Sequence, residues 1–495
     1  MGINKSEQIE INVVGSSSFG LYSKISLEKT YNFFISEGWL VDYAGFKKVI
    51  NVTSEGEGRG LFNSIRGNFL VAVVNAAVYK ITPSLTLEYI GNLNTVRGDV
   101  YIDENLNQQI CIVDGQDCWV YNYDSGTFTL QTLTYLGNPI YPSYVCYHNT
   151  FFLFGSSPNS INPQNWYAFQ PYTGTPVEPA GTPDLQFVSQ FSLQTKPDVA
   201  LAVERLPGRG NNVLVMGSTV AEVWTQIGGA QNYQRVSSFN IDNGLVSVST
   251  LASNENYICW LAQNENNAPF IMFTDGSNTQ RISSDGIDYL LSSIKYPAQS
   301  TAFFYRQDGH LFYQITFYNA IDNLTLTYDF NTQLFFHISD QNLNYHPARQ
   351  VVYFFENTYF VSLNDGGLYN MSTNYFTYDY DTLPTSIGEE IPRIRICKTV
   401  RKKDSSRFRV GQFTFWIEQG NIVASPPTAS RVDMSFSKDG NQTFSSYVGK
   451  TLNSVGKYKN QIRWWRLGQA NEFTIQLRFY GFQSFIASNG ILEIY

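Results

Sequence analysis

The sequence predicts an all-β chain, a β-propeller of six or seven blades followed by a small C-terminal β-sandwich. Three observations carry that expectation. Aromatic residues make up 16% of the chain and charged residues only 15%, with Tyr 33 and Phe 36 against Met 5, and such side chains suit a pleated, half-buried surface. The Ala, Leu, Glu and Lys runs at helical spacing that mark long surface helices are nearly absent. Short apolar runs alternate instead with polar turns rich in Gly and Asn.

The hairpins can be read directly. Phe69 to Val74 and Val78 to Ile81 flank Asn75-Ala-Ala, and Ile110 to Val113 and Trp119 to Tyr123 flank Asp114-Gly115. A looser unit recurs at residues 120–128, 326–336 and 359–369: an apolar strand, then Asp or Asn with Gly, Ser or Thr, then an aromatic strand. Degenerate repeats of this kind are expected of propeller blades, and six or seven blades of roughly 45 residues fill most of the chain. A set of β-sandwiches uses the same strands and turns and is the rival architecture. The expected organisation is a propeller-like body over 1–385, with an N-terminal arm and a Pro- and Asn-rich excursion at 156–183. Residues 386–495 then form an antiparallel sandwich or closing strands, since residues 413–417, 432–436, 462–467 and 473–479 alternate strongly.

Composition also excludes. A net charge of −8 and a pI near 5.2 argue against a duplex-gripping surface, which needs clustered Lys and Arg. The basic stretch Arg393 to Arg409, with Arg401, Lys402 and Lys403, reads as a solvated loop or strand edge. Five cysteines (Cys111, Cys118, Cys146, Cys259, Cys397) lack framework spacing, so free buried thiols are expected. No apolar run approaches the roughly 20 residues of a membrane span, and the polar start has no signal-peptide core. The expectation is a soluble protein made in a cytoplasm. A myristoylation-like Gly2 and Ser6 pair and the sequons at Asn51, Asn323, Asn370 and Asn441 carry no weight in that setting.

Chemistry is hard to find. Gly449-Lys450-Thr451 has Phe444 where a phosphate loop needs its first glycine. Gly56-Glu-Gly-Arg-Gly60 reads as a flexible turn between strands. The four histidines, His148, His310, His337 and His346, show no metal-binding spacing, and no Gly-x-Ser-x-Gly elbow occurs. No catalytic, cofactor-binding or metal-ligating residue is therefore predicted. Ser437-Lys-Asp439-Gly-Asn441-Gln-Thr443-Phe444 resembles the Asp box of sialidases and related propellers, in which the Asp accepts backbone N–H groups and shapes a hairpin, so its expected role is structural. A glycosidase would also need an arginine cluster and a tyrosine nucleophile, which the spacing does not identify.

The segment Lys196-Pro-Asp198, then Val213 to Gly217-Ser218-Thr219, Glu222 and Trp224, then Gly228-Gly229, resembles the packaged-DNA stabilisation (tail hub) proteins of short-tailed, Salmonella-type phages. Downstream, Gly244, Tyr257 to Ala262, Phe270 to Phe273, Gly276, Arg281-Ile282 and a helix-like Ile287 to Ile294 follow in the same order, as do Met434 to Gly440, Arg463 to Gly468 and Phe473 to Arg478. Tyr31-Asn32-Phe33 and Gly58-Arg59-Gly60 fall at similar places near the start. Residues 156–183 match only through Pro163 to Tyr167. The resemblance implies a non-enzymatic tail hub in the virion, assembled in the host bacterial cytoplasm. It implies a homo-hexamer that joins a portal-adaptor ring to the tail needle or plug and to fibres or spikes; an acidic surface facing the channel is then expected to let DNA pass without specific binding. The alternative is a receptor- or carbohydrate-binding propeller in which exposed aromatics such as Trp166 stack on sugars.

Overall fold

The structure is a computed structural model that describes residues 6–18, 28–52, 56–172, 184–228, 232–266, 268–422, 428–452 and 459–495. Strands dominate it, and its helices are one α-helix, Asp285–Ser292, and one 3₁₀ turn, Val248–Thr250, among the described residues. The helix begins where Ser284 accepts the Ile287 N–H, as a Ser N-cap should.

Among the described residues, seven antiparallel four-stranded blades follow one another, three of them as parts of larger sheets. Blades 1 to 6 are built from residues 58–92, 101–131, 142–192, 202–241, 244–281 and 300–337. Blade 7 takes three strands from residues 348–372 and its fourth from the other end of the chain, Gly45–Ile50. The first strands of successive blades pack side by side around the axis. In blade 5 that inner strand is split by the 3₁₀ turn into Gly244–Leu245 and Ala252–Ser253, both paired with Ile258–Gln263. The expected hairpins are present: Phe69–Val74 with Ala77–Ile81, and Gln109–Val113 with Cys118–Asn122. Asn75 and Gly115 take the left-handed conformation their turns require. The recurring unit is not one fixed position in the blade. It joins the third and fourth strands in blades 2 and 6 but the second and third in blade 7.

Three local expectations need correction. The 156–183 segment is not an excursion: Phe151–Ser156 and Asn165–Pro171 are the second and third strands of blade 3, and 173–183 lies outside the described residues. Pro158, Asn159, Asn162 and Pro163 fall in the loop that connects these strands. Residues 58–60 are not a turn but the start of the innermost strand of blade 1. They are glycine-rich because a Cβ on Gly58 would lie 2.5 Å from the Ser362 carbonyl oxygen, and one on Gly60 would lie 3.1 Å from that of Val100. Finally, the strand Arg393–Ile396 is buried throughout, so the first part of the basic stretch is neither loop nor solvated edge.

The C-terminal strands do not stand apart from the N-terminal arm. One sheet runs Phe33–Ser36, Trp39–Asp42, Gln483–Ile494, Phe408–Ile422, Lys459–Ala470, with Glu7–Ile11 also paired to Gln483–Ile494. The other is continuous with blade 6. Lys29–Tyr31 pairs in parallel with Leu334–His337 of the blade and antiparallel with Arg393–Ile396, which leads on to Glu472–Tyr480, Arg431–Ser437 and Val448–Thr451. Between the two sheets lies an aromatic core that includes Phe33, Phe413, Phe415, Trp464, Phe479 and Phe485.

Phe46 shows what closure of blade 7 contributes. It is fully buried, stacked on Tyr378 at 4.5 Å and edge-on to Phe360 and Tyr369. Phe46→Ala is expected to cost about 3–5 kcal/mol, read as a lower urea midpoint; a loss below about 1 kcal/mol would show that the N-terminal strand contributes little to closure.

Candidate functional site: the propeller axis and the knots between blades

A concentration of buried charge lies on the axis. At one end Arg349, on the inner strand of blade 7, donates to Glu57 at 2.8 Å and to Asp99, and its guanidinium lies over the Tyr318 ring. Beside it the buried Arg59 donates to the carbonyls of Asn75, Thr95, Arg97 and Gly98 and to the Thr95 hydroxyl. Deeper in, Asp103 of blade 2 accepts the Tyr147 N–H of blade 3 at 2.6 Å and pairs with Arg205 of blade 4 at 3.4 Å. Glu204 of blade 4 accepts the Tyr144 hydroxyl of blade 3 at 2.5 Å. The contacts of Arg349, Asp103 and Glu204 join one blade to another or to the links between blades, so the axis is pinned by charge-assisted bonds between separate segments.

This arrangement is poorly suited to chemistry. Burial pushes the Cys146 thiol and the Tyr101 and Tyr144 phenols well above their ordinary values, so none is an activated nucleophile. Burial also pushes the Asp103 carboxyl up to about 6, although Arg205 and the N–H groups of Tyr147 and Glu104 pull the other way. Sequence reading assigned no role here, because Glu57, Asp99, Asp103, Glu204 and Arg349 are scattered along the chain and meet only when the ring closes.

The motif that carries the family resemblance is a second knot. Asp198 accepts the Thr219 N–H at 2.7 Å and the hydroxyls of Ser218 and Thr219. Gly217 is required because a Cβ there would lie 2.5 Å from the Asp198 carboxylate. Glu222, fully buried, accepts the Gln194 and Thr195 N–H groups at 2.8 and 2.6 Å and the Trp224 indole at 3.1 Å. Residues 194–198 leave blade 3, and 217–224 belong to blade 4. The motif therefore ties two blades together. Trp166 lies in the same seam, fully buried against Phe191, Trp224 and Tyr233, which removes it as a sugar-stacking surface.

The remaining candidates separate in the same way. Asp439 accepts the Gln442 and Thr443 N–H groups and the Thr443 and Ser437 hydroxyls, a hairpin turn as expected, and these bonds hold its carboxyl down at about 2. Arg393 reaches Asp42 and the carbonyls of Gly481 and Gln483, and Arg395 reaches the carbonyls of Asn12, Val13 and Ser16. All five cysteines are buried and free, and no metal-ligand group occurs among the described residues. One constellation went unseen in the sequence: His310 bonds Asp329 at 2.9 Å through Nδ1 and the Ser36 hydroxyl at 3.2 Å through Nε2. The same seam holds Phe34 edge-on to His310, Gln307 donating to the Asp42 carbonyl, and Tyr43 donating to Gln314. The trio therefore sits among contacts that seat the N-terminal hairpin on blade 6.

Two outcomes follow from the knots. Glu222→Gln swaps an acceptor for a donor facing N–H groups and should cost about 1–3 kcal/mol, measured by urea denaturation; a neutral result would refute the knot. Asp103 has a folded pKa raised above its ordinary value, so the stability it contributes is full below about 4 and is lost as pH rises through about 6. The stability advantage of the native chain over Asp103→Asn should accordingly shrink by roughly 2 kcal/mol between about pH 4 and 7. A pH-independent difference would contradict the burial argument.

No curated protein matches the sequence. Among solved structures, virginiamycin B lyase from Staphylococcus aureus is 10% identical, with 66% of this chain and 99% of the lyase covered and a TM-score of 0.43. The WD40 β-propeller domain of Doa1 is 8% identical, with 67% and 97% covered and a TM-score of 0.40. At such identity nothing of the lyase's chemistry transfers. Residues 27–375 match the phage-stabilisation family described as bacteriophage P22 Gp10, β-propeller, a span that starts just before the strand Lys29–Tyr31 and ends just past Leu368–Ser372 of blade 7. A seven-bladed ring whose resemblance motif is a knot between blades, matched along nearly its whole length, belongs to the bacteriophage P22 Gp10 β-propeller family of structural phage proteins.

Proposed function

We propose that the chain is a non-enzymatic hub subunit of a short phage tail, joining a portal-adaptor ring to the needle or plug and to fibres or spikes and helping to retain packaged DNA. The family match over 27–375 is the observation that carries this reading. The architecture supports it. A closed ring of blades leaves only short, protected strand edges, and buried cross-links between blades suit a part that transmits load. In this reading six copies encircle the channel, the protein resides in the virion tail after assembly in the host cytoplasm, and the net charge of −8 gives DNA little reason to adhere along the wall.

Adding the purified chain to particles carrying portal and adaptor should yield a sixfold ring below the adaptor in electron micrographs. Specific binding to host glycans without incorporation would favour the adhesin reading. The non-enzymatic claim has its own test at Ser36, His310 and Asp329, which match the order of groups in a hydrolytic triad. A fluorophosphonate probe should leave the protein unlabelled; labelling that Ser36→Ala abolishes would refute the claim.

A further inference from the structure

At one end of the C-terminal sheet, Arg407, Arg409 and Arg466 line a concavity of about 630 Å³ together with Phe408, Gly411, Gln469 and Tyr495. Arg407 and Arg409 alternate with the buried Phe408 and so share a face of their strand. Arg466 reaches that face through a bulge. Val410 pairs with Gly468 and Gln412 with Trp465, so the single residue Gly411 opposes Arg466 and Leu467. The bulge breaks the alternation: Trp464 is buried, while Trp465 and Arg466 are both exposed. Arg466 takes a left-handed φ of 61°, a conformation that is strained for a residue with a side chain. Tyr495 forms the wall, lying so close over Gly411 that a Cβ there would fall 2.4 Å from its ring. Its hydroxyl donates to Glu493 at 2.9 Å.

Several arginines elsewhere in the chain are matched. Arg349, Arg393, Arg395 and Arg401 each pair with a carboxylate. Among the described residues, none lies within ion-pair distance of Arg407, Arg409 or Arg466, and these three donate no hydrogen bond to a protein group. Lys438 adds to the same field: burial lowers its pKa and the charge of Arg407 lowers it further. Three unpaired guanidinium groups thus converge in a chain that is acidic overall, with a strained bulge aiming one of them.

We infer that this concavity is a phosphate-binding site. One guanidinium fork already fills both oxygens of a carboxylate, whereas three forks match the several oxygens of a phosphate group. The group can come from free phosphate or from the backbone of DNA, and a contact of this kind reads no base sequence. The inference stands on geometry alone and is independent of the place assigned to the chain in a tail.

The test uses the full chain and a fluorescent duplex of about 20 base pairs, with anisotropy read from about 50 to about 200 mM salt. Log affinity should fall with log salt at about 0.9 per phosphate engaged. The combined R407Q, R409Q and R466Q variant should lose at least tenfold in affinity and most of the slope, while the all-lysine counterpart keeps the slope. In parallel, inorganic phosphate at constant ionic strength should raise the thermal midpoint of the native chain but not of the glutamine variant. A phosphate shift without duplex binding supports the site and assigns it to the free anion. Competition between phosphate and duplex supports it and assigns DNA. No response to either probe overturns the inference, as does duplex binding unchanged in the glutamine variant or a poly-glutamate peptide that binds more tightly than both. The three arginines are exposed, so unchanged circular dichroism separates lost binding from lost fold.

Discussion

The run from residue 29 to 50 supplies strands to three different sheets, and the rest of the fold depends on where those strands go. Lys29–Tyr31 bridges blade 6 to the C-terminal sheet, Phe33–Ser36 and Trp39–Asp42 join the second C-terminal sheet, and Gly45–Ile50 completes blade 7. A ring of blades made in chain order leaves a gap between last and first, and open strand edges there would bind any passing strand. Here the closing strand is anchored on both sides. Asn32, with φ of 58°, donates to Ser339 and to the Pro392 carbonyl and accepts the Ser339 N–H, so the sharp change of direction within the clasp is itself pinned.

Buried charge serves the same purpose throughout. Arg393 and Arg395 are almost wholly buried, and each spends its donors on carbonyls of another segment as well as on one carboxylate. A buried ion pair alone is weak support for stability, because desolvation consumes much of its attraction. Its value here is specificity: a guanidinium with several donors is satisfied only when every segment is in register. The axis, the Asp198 and Glu222 knot and the clasp arginines all follow this logic. The propeller's apolar seams, such as Trp166 against Phe191 and Trp224, supply the bulk of the burial without fixing register so sharply.

The strand class and the hairpins were legible because they rest on neighbours in sequence. Asn75 and Gly115 mark turns through their own backbone preferences, and Asp439 shapes a turn from residues within four positions of it. The site residues were not legible, because their partners lie far away: Arg349 to Glu57, Arg393 to Asp42, His310 to Ser36. Periodicity misjudged the basic stretch for a physical reason. Arg393 and Arg395 lie on a strand buried on both faces, so alternation places both arginines against protein rather than one face in water. Trp166 failed likewise, since a Pro- and Asn-rich loop next to it gave the strand beyond it the look of an irregular segment.

The clasp also sets an order in time. Gly45–Ile50 leaves the ribosome early, but its partner strand, Leu368–Ser372, is more than 300 residues further on. At synthesis rates of about 5–20 residues per second, that strand waits on the order of tens of seconds for the strand it must pair with. Blades 1 to 6 contain all their own strands and can form one after another during that interval, whereas blade 7 cannot close until residues 368–372 have been made. Closure of the ring, rather than any single blade, is the step that commits the propeller to its final form.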